Sequence, residues 1–221
     1  MEIEPIAHFK SPLTSKFGIP RQSGIVSGLR GQIVFEPRFR NAEALRGMEG
    51  FDYLWLIWGF SCNVDAAKHP TVRPPRLGGN EHMGVFATRS SFRPNNLGLS
   101  SVTVIHIDYN SADGPVIHVG GADLMDGTPI YDIKPYVEFT DSHPNVRSGF
   151  ADEVGWQSLS VCLSESIVNE FTPDERNTLK QILSQDPRPH YHRDSRRIYG
   201  MPFAGRDIKF TVENGTVKAF I

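Results

Sequence analysis

Between residues 31 and 136 the apolar positions fall into short runs rich in β-branched and aromatic residues: GQIVF at 31–35, YLWLIWGF at 53–60, MGVFAT at 83–88, SVTVIHID at 101–108 and VIHVGGADL at 116–124. Polar turns such as Asn110 to Pro115 separate them. No helical pattern long enough for a βαβ crossover lies between successive runs, so the spacing predicts a sheet or barrel and not a parallel α/β sheet. Only residues 41–48, with Ala42, Ala44 and Leu45, look helical here. The first long helix is expected late. Thr172 as N-cap, Pro173 at the first helical position and Glu175 two residues on form a capping box, Leu179, Ile182 and Leu183 share a face, and Asp186-Pro187 stops the helix. Two alternating runs, Ile208-Phe210-Val212 and Val217-Ala219-Ile221, flank Asn214-Gly215, a strong hairpin signal. Because residues 141–158 carry little periodicity, the expected organisation is a β-rich domain over 1–150 and a small α+β domain over 151–221.

The length of 221 residues suits that organisation and excludes a large multidomain machine. Lys+Arg 23 against Asp+Glu 25 leaves a net charge of -2, so nucleic-acid binding would have to come from a local basic patch. The two cysteines, Cys62 and Cys162, form no C-x-x-C pair, and the first twenty residues hold no apolar secretory core. A reduced, cytoplasmic chain is expected. The longest apolar run, Phe51 to Phe60, contains Asp52 and is too short to span a bilayer. Nucleophile-elbow, zinc-protease and Walker patterns are absent, as is a G-x-G-x-x-G turn, and His190-x-His192 lacks a nearby third ligand for a metal.

Several segments carry chemistry beyond turn-making. Pro20-Arg21-Gln22, otherwise a plain entry loop, offers a guanidinium fork and an amide to a carboxylate or base edge. The stretch VRPPRLGGN at 72–80 holds Arg73 and Arg76 on a proline-stiffened backbone; it suits phosphates or serves as a spacer. TRSSFRPNNLGLS at 88–100, which includes Arg89, Arg93, Asn95 and Leu99, gathers polar groups of several kinds between apolar runs, as the rim of a ligand pocket does. In DLMDGTP at 123–129 an Asp-Gly turn accounts for Asp126-Gly127 but leaves Asp123 unexplained. Arg188, Arg193, Arg196 and Arg197, interleaved with His190, Tyr191, His192 and Tyr199, suit single-stranded RNA or form a solvated basic face.

PRQ at 20–22, VRPPRLGGN at 72–80, MGVFATRSSFRPNNLGLS at 83–100, DLMDGTPIYDIKPY at 123–136 and DPRP at 186–189 together resemble the TrmO (YaeB-like) tRNA methyltransferase family over nearly the whole chain. The resemblance implies a β-barrel catalytic domain unlike the Rossmann methyltransferases, with S-adenosylmethionine as methyl donor. It also implies methylation of N6 of threonylcarbamoyladenosine at position 37 of threonine tRNAs, hence contact with the anticodon stem-loop, and a homodimer with active sites near the subunit interface. Carried across by motif, cofactor binding falls to Pro20, Arg21, Gln22, Phe60, Ser61, Arg89, Leu99, Leu124, Met125, Asp126 and Gly127. One departure stands out: Phe60-Ser61 occupies the place of the family's Phe-His. On this reading the Arg93-Pro94-Asn95 turn orients the base, Asp126 or a substrate group takes its proton, and Arg73, Arg76, Arg188, Arg193, Arg196 and Arg197 hold the tRNA. The competing reading is a non-catalytic module that binds S-adenosylmethionine or RNA.

Overall fold

In the run 53–59 the residues Leu54, Leu56 and Trp58 are buried while Tyr53, Trp55 and Ile57 face outward, the alternation of a strand with one face on a core. The computed structural model, which describes residues 2–62, 69–78, 81–153, 158–188 and 194–221, places this run as the third strand of the chain. The strands in order are β1 (Ala7–Lys10), β2 (Arg30–Phe35), β3 (Tyr53–Gly59), β4 (Thr71–Val72), β5 (Met83–Gly84), β6 (Leu97–Asp108), β7 (Val116–Gly120) and β8 (Thr128–Pro135). Six of them close into an antiparallel barrel in the order β1-β2-β7-β6-β3-β8, and β4 and β5 form a separate two-stranded ribbon. Closure removes every sheet edge and gives Phe9, Ile33, Leu56, Ile117, Val119 and Ile130 a shared interior.

Two short helices follow, α1 (Glu138–Asp141) and α2 (Phe150–Glu153). The C-terminal part then contains β9 (Ser160–Leu163), α3 (Glu165–Glu170), α4 (Pro173–Ser184), β10 (Tyr199–Phe203), β11 (Arg206–Glu213) and β12 (Thr216–Phe220). The predicted capping box at α4 is complete: Thr172 accepts from the Glu175 backbone N–H, and the Glu175 carboxylate accepts from the N-cap backbone. The predicted hairpin is β11–β12, with Asn214 and Gly215 at φ 48° and 74° as a primed turn requires. Its sheet runs β10-β11-β12-β9, with β9 parallel to β12.

Two local expectations are corrected. Residues 41–48 form 3-10 turns at Ala42–Leu45 and Met48–Gly50, because Arg46 leaves helical geometry and Gly47 turns at φ 87°. MGVFAT pairs only at Met83–Gly84 before a 3-10 turn at Val85–Ala87.

The connection between β1 and β2 does not stay on the barrel. Leu13, Val26 and Leu29 are buried with Leu179, Leu183, Phe210 and Val217 in the C-terminal core, so residues 11–29 bridge the two parts of the chain. Gly28 allows this approach: a Cβ there would lie 2.6 Å from Thr178 Oγ1 of α4. Among the described residues no helix is long and apolar enough to cross a membrane.

Candidate active site

At one end of the barrel lies a cavity of about 710 Å³ whose wall comes from five parts of the chain. The bridging loop gives Lys16, Pro20, Arg21 and Gln22; the end of β3 gives Trp58, Phe60 and Ser61; the 88–93 loop gives Thr88, Arg89 and Arg93. From β6 and the 123–128 segment come Gly98, Leu99, Asp123 and Met125. Its size is that of a small-molecule site, with an apolar majority and a few convergent polar groups.

Backbone constraints explain why these side chains meet. Phe17 lies in ring contact with Tyr199 and Phe210 of the C-terminal sheet, at centroid distances of 6.5 and 6.1 Å, and so anchors the loop just before Pro20-Arg21-Gln22. Arg89 donates to Gln22 Oε1 at 2.7 Å, and Gln22 donates to the Arg21 carbonyl at 2.6 Å, tying the two arginine-bearing loops together. Arg21 also reaches the Asp186 carbonyl at 3.4 Å. Arg93 donates to the carbonyls of Thr88 and Val85 at 2.7 and 3.2 Å, which fixes the 88–93 loop. The turn that follows closes with Asn96 N–H on the Arg93 carbonyl at 3.1 Å, leaving Asn95 exposed at its tip.

Behind this wall runs a buried polar chain. Trp58 Nε1 donates to Ser100 Oγ at 2.9 Å, and Ser100 donates to Asp123 Oδ1 at 2.6 Å. Burial pushes the Asp123 carboxyl above the usual carboxylate range, opposed by the Ser100 hydrogen bond and by Arg89 nearby. Gly98 makes room for the chain, because the Trp58 indole lies flat against it where a Cβ would stand.

The 124–127 segment divides its roles. Met125 faces the cavity, Leu124 is fully buried in the barrel core, and Gly127 takes the turn at φ 75°. The Asp126 carboxylate accepts the Ser11 backbone N–H at 2.9 Å, so it holds the start of the bridging loop and lies outside the cavity wall. Of the motif-derived cofactor residues, Pro20, Arg21, Gln22, Phe60, Ser61, Arg89, Leu99 and Met125 are therefore brought together, and Leu124, Asp126 and Gly127 stand behind them. Trp58, Ser100 and Asp123 were not among them. Asp123, as the residue a turn does not explain, was the available signal; Trp58 and Ser100 read only as strand positions.

A second, wider groove of about 1630 Å³ adjoins the cavity and shares Arg21, Gln22, Phe60, Thr88, Arg89 and Ser91 with it. Its far wall holds Arg73, which donates to His82 Nε2 at 3.0 Å, together with Phe86 and Phe92, exposed by 78% and 55%. The Arg93 guanidinium lies 5.8 Å from the Phe86 ring centroid. Arg188 grips Asp186 through a two-pronged ion pair at 2.7 and 2.8 Å, which raises its pKa and makes it a brace for the chain after α4. Arg196 and Arg197 are exposed, Arg197 over the Tyr199 ring at 5.5 Å. Arg193 and the side chain of Arg76 lie outside the described residues, as do His190, Tyr191 and His192.

Comparison with known proteins decides the family. The profile described as the tRNA-methyltransferase O N-terminal domain matches residues 8–142, and the TrmO C-terminal domain matches residues 157–220. The chain belongs to the TrmO family. It is 34% identical over 227 residues to the tRNA (adenine(37)-N6)-methyltransferase of Escherichia coli K12, covering 99% of this chain and 96% of that protein. To the Eikenella corrodens protein of the same description it is 42% identical over 166 residues, 75% of this chain and 93% of the relative. A crystal structure of TrmO from Pseudomonas aeruginosa superposes with a TM-score of 0.80 at 29% identity, covering 99% of this chain and 96% of the other. The barrel and the α+β C-terminal region are thus those of TrmO-family proteins.

Proposed function

We propose that this protein transfers the methyl group of S-adenosylmethionine to N6 of N6-threonylcarbamoyladenosine at position 37 of tRNA(Thr). By its family and its named relatives it is an S-adenosylmethionine-dependent tRNA (adenine(37)-N6)-methyltransferase. The modified base and the tRNA isoacceptor are the finer part of the proposal. One observation carries it: the small cavity opens directly into the wide cationic groove through shared residues, so a compact donor and an extended RNA can meet at one wall.

The cavity suits the cofactor. Arg21 and Arg89 are set to hold its carboxylate, the Trp58 and Phe60 rings give its adenine an apolar wall, and Asp123 offsets positive charge. When bound, the cofactor supplies an activated methyl group. The chain's own residues orient and exclude. Arg93 fixes the loop that carries Arg89, the Arg93-Pro94-Asn95 turn presents the acceptor base, and Asp126 keeps the bridging loop seated through Ser11. Ser61, in the family's histidine position, is exposed at the mouth beside Phe60, so it leaves more room there and no imidazole.

Unpaired anticodon-loop bases suit the groove, because single-stranded RNA is gripped by arginines on phosphates and by aromatic rings on bases. Arg73 and the exposed Phe86 and Phe92 meet that requirement inside the groove, and Arg196 and Arg197 extend the cationic surface on the C-terminal part. Replacing Phe86 by alanine is expected to weaken tRNA binding by about 5- to 100-fold, the worth of one stacked base, and to leave cofactor affinity unchanged. Titration of each variant with tRNA and with S-adenosylmethionine separately checks this. A homodimer belongs to the same reading; Tyr53 and Tyr136, in ring contact at 6.0 Å, and Phe139, 88% exposed, give the outer barrel wall an apolar face. A tRNA substrate supports the expected cytoplasmic location.

The decisive experiment incubates the protein with methyl-labelled S-adenosylmethionine and two tRNA pools, one bearing threonylcarbamoyladenosine and one lacking it, and identifies the labelled nucleoside. Label in the doubly modified adenosine of the first pool alone is expected. Cofactor binding without label in either pool would favour the non-catalytic alternative.

A further inference from the structure

Among the described residues the cavity wall carries four cationic side chains, Lys16, Arg21, Arg89 and Arg93, and a single carboxylate, Asp123. That carboxylate has a defined orientation. The Trp58 indole can only donate, so its N–H occupies an oxygen lone pair of Ser100, and the one hydroxyl proton of Ser100 is committed to Asp123. The chain Trp58 to Ser100 to Asp123 therefore runs in one direction and presents Asp123 as an acceptor. Ser100 is 1% exposed and Trp58 7%, so neither link exchanges freely with water, whereas Asp123 reaches the cavity. Asp126, the other acidic side chain of the motif, is committed to Ser11 outside that wall.

Exocyclic N6 of an adenine is a weak nucleophile because its lone pair is delocalised into the ring, and an acyl substituent weakens it further. It gains reactivity only as its proton leaves. We propose that Asp123 is the proton acceptor of the methyl transfer. Its carboxylate takes the N6 proton while the N6 lone pair bonds to the methyl carbon; the methyl–sulfur bond breaks with its electron pair left on sulfur. The products are the N6-methyl base, a neutral thioether and protonated Asp123, so charge and atoms balance, and the proton then passes to solvent. This step rests on the methyltransferase reading above. Burial raises the Asp123 carboxyl, which strengthens it as a base; the opposing groups are Arg89, the Ser100 hydroxyl and the Ser23 backbone N–H, with Lys16, Arg21 and Arg93 around the same cavity.

Asp123→Asn keeps the side-chain volume and an oxygen for Ser100 to donate to, and removes the negative charge together with the basic function. In single-turnover transfer to tRNA at saturating S-adenosylmethionine the rate is expected to fall at least about 100-fold, the lower range for loss of a general base. A second variant, Ser100→Ala, retains the carboxylate but deletes a hydrogen bond that lowers its pKa, so the acid limb of the rate profile should move to higher pH.

A third readout needs no cofactor. The native pKa of Asp123 lies above its unfolded value, so its contribution to stability is present at low pH and is lost as pH rises through the native pKa. The melting-temperature advantage of Asp123→Asn over wild type should accordingly grow as the pH rises above about 4, the ordinary aspartate value. Transfer by Asp123→Asn within threefold of wild type would overturn the proposal, as would a pH profile unmoved in Ser100→Ala. A wild type that binds cofactor but methylates no tRNA removes the functional reading itself, which separates the two failures.

Discussion

Gly98→Val is expected to cost about 2–6 kcal/mol of stability and to abolish measurable cofactor binding. The Trp58 indole packs flat on the Gly98 backbone, and a side chain there would occupy space that Cε2, Cζ2 and Cδ2 of the ring already fill. Gly98 and Trp58 are also register partners on β6 and β3, so neither strand can slide to relieve the overlap without breaking the barrel. Overpacking of this kind costs about 1–3 kcal/mol. The ring's escape would also break Trp58 Nε1 from Ser100 Oγ, and an orphaned buried donor costs about 1–3 kcal/mol more. For a chain of this length the sum corresponds to a melting temperature lower by on the order of 10 °C. Cofactor affinity falls for a separate reason: Trp58, Gly98 and Leu99 are adjoining parts of the cavity wall, and a displaced indole enters the cavity. Thermal melts with and without S-adenosylmethionine check both halves. A variant that melts like wild type and is still stabilised by cofactor would show that the indole has room to move.

Phe210→Ala is expected to reach the site from its far side. Phe210 is fully buried and stacks on Tyr199 at 5.4 Å and on Phe17 at 6.1 Å. Removing a buried phenyl ring costs about 3–5 kcal/mol, and this ring joins the C-terminal sheet to the bridging loop. With Phe210 gone Phe17 keeps only its contact with Tyr199, and Pro20-Arg21-Gln22 beside it loses part of its anchor. Cofactor affinity should therefore drop at least about tenfold in a protein whose barrel remains folded, because the interior built on Phe9, Leu56 and Ile130 does not include Phe210. Calorimetric titration with S-adenosylmethionine at a temperature well below the melt separates loss of affinity from loss of fold. Unchanged affinity in the folded variant would show that the loop holds its shape without the C-terminal sheet.

What the sequence made legible was local. The apolar run of β3, period-two alternation in β11 and β12, the primed turn at Asn214-Gly215 and the capping box at Thr172 are each settled within a few residues, and each matches the structure. The strands that close the barrel did not stand out. β1 is only four residues long, and β8 carries Pro129, Asp132, Lys134 and Pro135, whose composition reads as a loop until barrel neighbours pair with it. The site followed the same division. Arg89 and Leu99 were legible in a mixed polar segment between apolar runs, whereas Arg21 and Gln22 stood in an entry loop and joined the site through the family resemblance. Trp58 and Ser100 were not, since their roles depend on β3 and β6 pairing in one register. The choice between Asp123 and Asp126 turns on which faces the cavity, and that is decided by the Ser11 and Leu13 backbone groups to which Asp126 is bound. Sequence spacing holds no record of it.

The bridging loop has a consequence for how the protein comes into being. On a translating ribosome the last barrel strand, β8, is complete by residue 135, yet Leu13, Val26 and Leu29 find their packing partners only when α4, β11 and β12 have been made. Until then Pro20-Arg21-Gln22 has no anchor through Phe17. The nascent barrel can thus close as soon as its own strands emerge, but the binding wall is assembled only from a finished chain, and a product cut short before β11 would carry a barrel without a competent site.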